Sequence, residues 1–289
     1  MANLKDLKGR INSVKSTQKI TSAMKVVSAS KLRRARERAE AAAPYAERMD
    51  MVLKTLASNV DKTSAPELLV GNGKDKTHLI IIVSSDRGLC GGFNTHLTKA
   101  VKNKISEITS RGKDFKLFFI GKKGFELLHL AHEKKIVSRV EDISKKRVIP
   151  FSDAQEQADK IIKMFENGEF DVCSIFYNKF ISAISQEVTE QQLIPLALDE
   201  GGASDTPYDY EPGEAKILAD ILPKNIAVQV YNSLLESSAS EHGARMSAMD
   251  NATRNAGDMI KKLTLVYNRT RQAAITKELI EIISGAEAV

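Results

Sequence analysis

The sequence has no tryptophan and only two cysteines, Cys90 and Cys173, which lie far apart in the chain. They form neither a CxxC pair nor a spacing that suits a metal ion, so we expect two inert thiols in a reducing compartment. No apolar run approaches the roughly 20 residues that a membrane-spanning helix needs. The opening residues, MANLKDLKGR, lack the apolar segment of a signal peptide, which favours a cytosolic location.

Acidic residues are missing from Leu7 to Arg36, a stretch that holds nine Lys or Arg residues. Residues 1–60 contain 13 basic and 5 acidic residues, so this segment alone exceeds the net charge of +6 of the whole chain. Such a run is often only a solvated helix face. The alternative is a surface for an acidic partner, which leaves nucleic acid, anionic lipid and acidic protein open.

Residues 1–60 are predicted to form one long helix, which carries an apolar heptad stripe that starts at Leu4 and resumes at Leu32. In its middle part the same register falls on four polar residues: Gln18, Thr21, Lys25 and Ser28. The nearby apolar residues lie off that register: Ile20, Met24 and Val27. The displacement predicts that this part of the helix faces something other than its main partner. Pro44 is expected to kink the helix.

Residues 76–197 are predicted to form a Rossmann-like α/β domain. Short apolar runs at residues 78–84, 116–120, 135–140 and 171–177 have the β-branched character of buried strands, and helical stretches separate them. Residues 181–196 alternate like an edge strand. Strands that alternate with helices predict a parallel sheet covered on both faces.

Residues 210–289 are predicted to form a second long helix behind an acidic loop, with Pro223 at a helix start. One apolar stripe recurs at spacings of three and four: Met249, Ala252, Ala256, Met259, Leu263 and Val266. The last turns are apolar all round, which predicts burial against another molecule. Two long helices at opposite ends pair most simply side by side. The predicted fold is therefore an α/β domain flanked by N- and C-terminal helices that form a long antiparallel coiled coil.

Residues 84–94, SSDRGLCGGFN, are the first candidate for chemistry, because ligands bind at the carboxyl ends of parallel strands. The segment matches neither the dinucleotide-binding G-x-G-x-x-G motif nor the phosphate-binding G-x-x-x-x-G-K-[ST] motif. His129 and His132 share a helix face but lack further metal ligands nearby. The residues therefore argue for no catalytic, cofactor or metal site. A cytosolic α/β nucleotide-binding enzyme with a coiled-coil arm and a DNA-binding coiled coil stay as alternatives.

Three segments, residues 4–35, 84–94 and 249–286, resemble the γ subunit of F-type ATP synthases, and they occur in the family's order. The resemblance implies a non-catalytic central stalk that couples proton flow through a membrane rotor to ATP synthesis. It implies the α and β subunits, the ε subunit and the membrane c-ring as partners, no cofactor and no nucleic acid. Without a transit peptide or the chloroplast insertion, the chain resembles a bacterial member. Its expected place is the cytoplasmic face of the inner membrane, as a peripheral subunit.

The resemblance also implies roles for individual residues. Contacts to the β subunits are expected at five positions: Met24, Lys25, Arg271, Gln272 and Thr276. An apolar tip seated in a bearing of the α/β ring is expected at five more: Ile275, Leu279, Ile280, Ile282 and Ile283. Contacts to the c-ring or ε at the foot are expected at three: Tyr208, Tyr210 and Glu211.

Overall fold

The computed structural model of the chain describes residues 4–59, 65–196 and 214–287. These residues belong to two compact units. The coiled-coil unit combines the chain up to Ser28 with the chain from Arg245 onwards, and the α/β unit runs from Ala29 to Ala244. Three of the predicted domain bounds, residues 60, 197 and 210, lie outside the described ranges. The division into domains therefore stays a prediction. Within these ranges no helix combines the length and the apolar character that crossing a bilayer requires.

Two long helices, α1 (Leu4–Asn59) and α6 (Glu214–Glu287), each contribute to both units. Both continue through a proline, Pro44 in α1 and Pro223 in α6. The prediction of a helix start at Pro223 is wrong, because α6 begins at Glu214. A proline inside a helix costs about 3 kcal/mol. Buried apolar side chains on both sides of Pro223, including Leu222 and Ile226, offset that cost by packing in the α/β unit.

The α/β unit contains a five-stranded sheet in the order β3-β2-β1-β4-β5. Its strands are β1 (Thr77–Val83), β2 (Asp114–Ile120), β3 (Ile136–Val140), β4 (Val172–Phe180) and β5 (Gln186–Ile194). The first four strands are parallel, and β5 pairs antiparallel with β4 at the edge. The parallel sheet and its predicted edge strand are confirmed.

The helices of the α/β unit are α2 (Glu67–Val70), α3 (Phe93–Ser110), α4 (Lys122–His132) and α5 (Phe151–Glu166), with a 3₁₀ turn at Glu133–Lys135. The helical stretches predicted between the strands are confirmed.

Alternate side chains of β1 point into two cores, one on each face of the sheet. Ile80 and Ile82 pack with residues of α3 and α4. Leu79, Ile81 and Val83 pack with residues of α5 and with the part of α6 between residues 226 and 235. Both faces are therefore covered, which explains why β1 is apolar along its whole length. The predicted fold class is confirmed.

Candidate functional site

A polar layer joins α1 and α6 inside the coiled-coil unit. It consists of six residues: Gln18, Thr21, Lys25, Asp250, Thr253 and Gly257. Lys25 Nζ donates to Asp250 Oδ1 at 2.6 Å, and Thr253 Oγ1 donates to Thr21 Oγ1 at 2.8 Å. A Cβ on Gly257 would lie 3.1 Å from Gln18 Nε2, so the helices approach closely there. Residue numbers rise along α1 as they fall along α6, so the predicted antiparallel pairing is confirmed.

The predicted displacement of the apolar seam in α1 is wrong. Thr21 and Ser28 are buried, whereas Ile20 and Val27 are exposed. Thr21 and Lys25 stay in the heptad register because they find hydrogen-bond partners on α6, which offsets the loss of hydration. The seam therefore continues, and the displaced apolar residues face away from α6. Met24 is half-buried between these two environments.

Asp250 is the charged centre of the polar layer. The hydrogen bond from Lys25 holds the pKa of the Asp250 carboxyl below its ordinary value, and a second hydrogen bond from Arg254 acts in the same direction. Lys25 keeps about 45% of its side chain exposed while it makes this ion pair. The ammonium group can therefore pair with Asp250 and still meet a second acidic group from outside.

The apolar stripe predicted on α6 is correct in part. Met249 and Ala256 are buried, but Met259 and Val266 are exposed. Leu263 of the predicted stripe is half-buried, and so are Ile260 and Tyr267, which the prediction did not include. Adjacent apolar residues, such as Met259 and Ile260, fit two stripes equally well. Only the position of the partner helix decides between them.

Arg271, Gln272 and Thr276 lie on α6, and all three side chains are exposed. Thr276 Oγ1 donates to the carbonyl oxygen of Gln272 at 3.0 Å, which closes one helical turn. In the part of the chain that the structure covers, Arg271 makes no ion pair. Its guanidinium group is therefore available to a carboxylate or a carbonyl group of another molecule.

The predicted apolar tip forms the last turns of α6 in the described range. Its five side chains are between 47% and 68% exposed: Ile275, Leu279, Ile280, Ile282 and Ile283. Monomeric proteins rarely leave a contiguous group of large aliphatic side chains in water, and such patches commonly mark interaction sites. The chain therefore presents an apolar surface at this end of α6. The predicted foot residues Tyr208, Tyr210 and Glu211 lie outside the described residues.

The turn between β1 and α3 is held by hydrogen bonds among its own residues. Asn94 Oδ1 accepts from the backbone nitrogen of Ser85 at 3.1 Å, and Asn94 Nδ2 donates to Ser85 Oγ at 2.8 Å and to Cys90 Sγ at 3.2 Å. Asp86 accepts from the backbone nitrogens of Lys122 and Ser144, both at 3.2 Å. The side chains of SSDRGLCGGFN that bond in this way brace the turn itself.

The carboxyl ends of the strands have little free space. A cavity bordered by Ser84, Asp86 and Gly121 has a volume of about 10 Å³, and α6 closes it with Leu234, Ser237 and Glu241. Ser237 Oγ donates to the carbonyl oxygen of Val83 at 3.5 Å. A cavity of this size holds at most one water molecule. The place where a doubly wound fold would hold a nucleotide is filled by the chain's own helix.

The cysteines and histidines occupy structural positions. Cys173 is fully buried in the core beside α5, and burial raises the pKa of its thiol. The imidazole of His129 stacks on the ring of Phe125, and that of His132 meets Phe115 edge-on. Among the described residues, no group of three or more His, Cys, Asp or Glu side chains is arranged to hold a metal ion.

Asp250 and Thr253 are the site residues that sequence reasoning missed. The available signal was their match in spacing to Lys25 and Thr21. Thr21 and Lys25 are four residues apart, and Asp250 and Thr253 are three apart and adjacent in sequence to Met249 and Ala252 of the apolar stripe. The match becomes visible only once the two helices are set antiparallel with Lys25 opposite Asp250.

The comparisons with known proteins cover the whole length of the chain. Residues 3–289 match the family model described as ATP synthase. The chain is similar to the ATP synthase gamma chains of Azorhizobium caulinodans, over 290 aligned residues, and of Rhodospirillum rubrum, over 300. It is 56% identical to each, and each alignment covers 100% of both chains.

A solved structure agrees with these relatives. The central stalk and c-ring structure of the mitochondrial ATP synthase of Tetrahymena thermophila contains a chain of similar fold, with a TM-score of 0.62 and 27% identity. The superposition covers 81% of this chain and 99% of that one. Sequence motifs, full-length relatives and fold therefore point to one family. The chain belongs to the family of ATP synthase gamma chains.

Proposed function

We propose that this chain is the central rotary stalk subunit of a bacterial F-type ATP synthase. It couples proton flow through the membrane rotor to ATP synthesis by the catalytic α/β hexamer and catalyses no reaction itself. Its partners are the α and β subunits, the ε subunit and the c-ring. Similarity over the full length to two bacterial gamma chains supports this role.

The observation that carries the proposal is the exposed apolar tip of α6. A helix of 74 residues ends in aliphatic side chains that are about half exposed or more. Burying such side chains contributes about 25 cal/mol for each Å² of apolar surface removed from water. A socket lined by apolar residues of the α/β ring would supply that burial and centre the end of the stalk.

Coupling requires contacts that differ between the states of the β subunits, because a rotor shifts an equilibrium only through differential interaction energy. Arg271, Gln272 and Thr276 are suited to such contacts, since they are exposed polar groups within two successive turns of α6. Met24 and Lys25 offer a second contact beside the polar layer. There the exposed part of Lys25 would meet an acidic segment of a β subunit.

The remaining assignments follow from this role. We place the chain at the cytoplasmic face of the inner membrane as a peripheral subunit. Tyr208, Tyr210 and Glu211 are proposed to contact the c-ring or ε at the foot. The acidic partner of the basic α1 surface is then a protein, and nucleic acid is not a partner.

The experiment is a double substitution, Arg271→Ala with Gln272→Ala, in the assembled enzyme. Both residues are exposed, so the fold of the isolated chain should be unaffected. We expect weaker ATP-driven proton pumping in reconstituted vesicles, measured against ATP hydrolysis in the same vesicles. The ratio of pumping to hydrolysis reports coupling and separates it from a loss of assembled enzyme.

Lys261→Ala with Lys262→Ala is the control, because it removes two exposed side chains of the same helix closer to the polar layer. We expect this variant to pump like the unmodified enzyme. Unchanged pumping in the Arg271 and Gln272 variant, or an equal loss in both variants, would contradict the assigned contacts. Failure of the unmodified chain to co-purify with α, β and ε subunits would contradict the role itself.

A further inference from the structure

A basic pocket of about 150 Å³ lies on the surface of the α/β unit. Three segments meet there: α1, the loop between β3 and α5, and α6. We define the basic pocket by its six permanent cations: Lys31, Arg34, Arg38, Lys145, Lys146 and Arg147. Ser238 and His242 of α6 complete its polar lining. The stalk contacts proposed above for individual residues use none of these six cations, although Lys31 and Arg34 also belong to the basic stretch of α1 between Leu7 and Arg36.

The cations converge for simple geometric reasons. Lys31, Arg34 and Arg38 are spaced three and four residues apart, so they share one face of α1. The loop brings three consecutive cations against that face. Arg38 Nη1 donates to the carbonyl oxygen of Arg147 at 2.8 Å, which ties the loop to the helix. The pocket is thus held in place from both sides.

Carboxylates balance only part of this charge. Lys145 pairs with Asp142 and Lys146 pairs with Asp153, each at 2.5 Å. Within the described residues, the other four cations make no ion pair with a carboxylate. Each of the two outward arginines of the same segment, Arg33 and Arg36, does have such a pair, with Glu37 and Glu40. Uncompensated positive charge is therefore concentrated on the pocket side of α1.

The floor of the basic pocket is apolar. Ala35, Ile149 and Leu235 line it, and all three are buried. A cleft that combines one sign of charge with a low-dielectric wall focuses the electric field and attracts a counter-ion. Its volume is about ten to fifteen times the roughly 10–15 Å³ that a single water molecule requires. The pocket has room for an oxyanion of several heavy atoms.

We propose that the basic pocket binds a multivalent phosphate, either free or as the phosphate chain of a nucleotide. Planar guanidinium groups match phosphate oxygens with two parallel hydrogen bonds, and three of the six cations are arginines. A small compact anion of high charge satisfies cations that converge from three segments. An acidic peptide carries one charge per side chain spread along its length, so it matches the pocket less well.

The test uses the full-length chain and titration calorimetry in a phosphate-free buffer of low salt. The ligands are inorganic phosphate, pyrophosphate, tripolyphosphate, ATP and adenosine. We expect one saturable site, affinity at least tenfold higher for tripolyphosphate than for phosphate, binding of ATP and no binding of adenosine. Comparison of ATP with tripolyphosphate separates a nucleotide source of the phosphate from an inorganic one.

Matched variants locate the site. Arg34→Gln with Arg38→Gln should weaken tripolyphosphate binding at least tenfold. Arg33→Gln with Arg36→Gln removes the same charge from the outward side and should change the affinity less than twofold. Lys31→Gln with Arg147→Gln provides a second test of the pocket that keeps the bond from Arg38 to the loop, in case the first variant misfolds.

Three results would overturn the proposal. The first is the absence of saturable binding of any phosphate, and the second is an equal loss of affinity in the pocket and outward variants. The third is binding of a short Asp- and Glu-rich peptide as tightly as tripolyphosphate, with the same loss in the pocket variants, which would assign the pocket to an acidic protein. All of these outcomes are independent of the stalk role, because they concern only the isolated chain.

Discussion

Two stretches of α6 are equally rich in aliphatic residues but have opposite surroundings. Between residues 226 and 235, the side chains of Ile226, Val230, Leu234 and Leu235 are buried against the sheet. Between residues 275 and 283, the aliphatic side chains are exposed. Periodicity alone treats both stretches as parts of one helix. The difference shows which apolar side chains the chain itself covers and which await a partner.

Two leucines of α6, one in each stretch, allow a direct test of this contrast. Leu234 is 3% exposed and Leu279 is 53% exposed. Leu234→Ala should destabilise the isolated chain by about 2–5 kcal/mol, because it removes buried contacts and leaves a cavity. Leu279→Ala should change stability by about 0.5 kcal/mol or less, because its side chain is already in water. Urea unfolding followed by circular dichroism measures both.

An equal cost for the two leucine substitutions would break the comparison, because it would mean that the tip is buried within the isolated chain. In the assembled enzyme the difference between the stability costs of the two substitutions should be smaller. There the socket proposed for the tip would cover Leu279, and its truncation should lower the stability of the complex.

The α/β side of the comparison depends on one glycine as well as on apolar packing. Gly121 has φ +100°, and a Cβ there would overlap the carbonyl oxygen of Ser84. Gly121→Ala should therefore cost about 3 kcal/mol, combining a backbone strain of about 1–3 kcal/mol with the overlap. Gly112 also has positive φ, +72°, but open space at its Cβ position.

Gly112→Ala is the matched control and should cost about 1 kcal/mol, because only the left-handed conformation is penalised. Both variants are compared by urea unfolding in the same buffer. If the two substitutions had equal cost, the close approach of Gly121 to Ser84 would have no energetic weight.

Much of the α/β unit could be predicted from the sequence. The strand at β1 was visible because its residues are apolar and β-branched without interruption, which only burial on both faces explains. The helix start at Pro223 was wrong for a tertiary reason. Proline is common in the first turn of a helix, which favours a helix start at Pro223. Packing of Leu222 and Ile226 on either side of it keeps the helix continuous instead.

The polar layer shows why the candidate site was predicted only in part. Lys25 could be singled out, since it breaks an apolar register. Its partner could not, because a hydrogen bond to Asp250 depends on a helix 225 residues away in the chain. A single helix does not reveal whether a polar seam residue faces water or a polar partner.

The polar layer lies between the two stretches of α6 compared above. The hydroxyl pair of Thr21 and Thr253 should contribute less to the free energy of unfolding than a buried apolar side chain. Thr253→Val keeps the shape and removes the hydrogen bond to Thr21, together with a bond to the carbonyl oxygen of Met249 in the same helix, so we expect a loss of about 0.5–1.5 kcal/mol. Thr264→Val is the control, because Thr264 is exposed and its hydroxyl donates within its own helix, to the carbonyl oxygen of Ile260 at 2.8 Å. Urea unfolding should show almost no change for it. A similar loss in both would mean that the interhelical bond adds nothing.

The ion pair of the polar layer should give the smallest effect, and one that depends on pH. Lys25, and then Arg254, hold the folded pKa of Asp250 below the unfolded value of 3.8. A depressed carboxyl pKa contributes stability that is fully present above about 3.8 and disappears as the pH falls through the lower folded value. Asp250→Asn should therefore be less stable than the unmodified chain at pH 7, and this gap in the free energy of unfolding should narrow once the pH falls below about 3.8. Asp258→Asn, at an exposed carboxylate 3.6 Å from Lys261, should lower stability less at pH 7. Urea unfolding at pH 7, 5 and 3 measures the gap. A gap that stays constant across this range would show that Asp250 acts through shape and not through its charge.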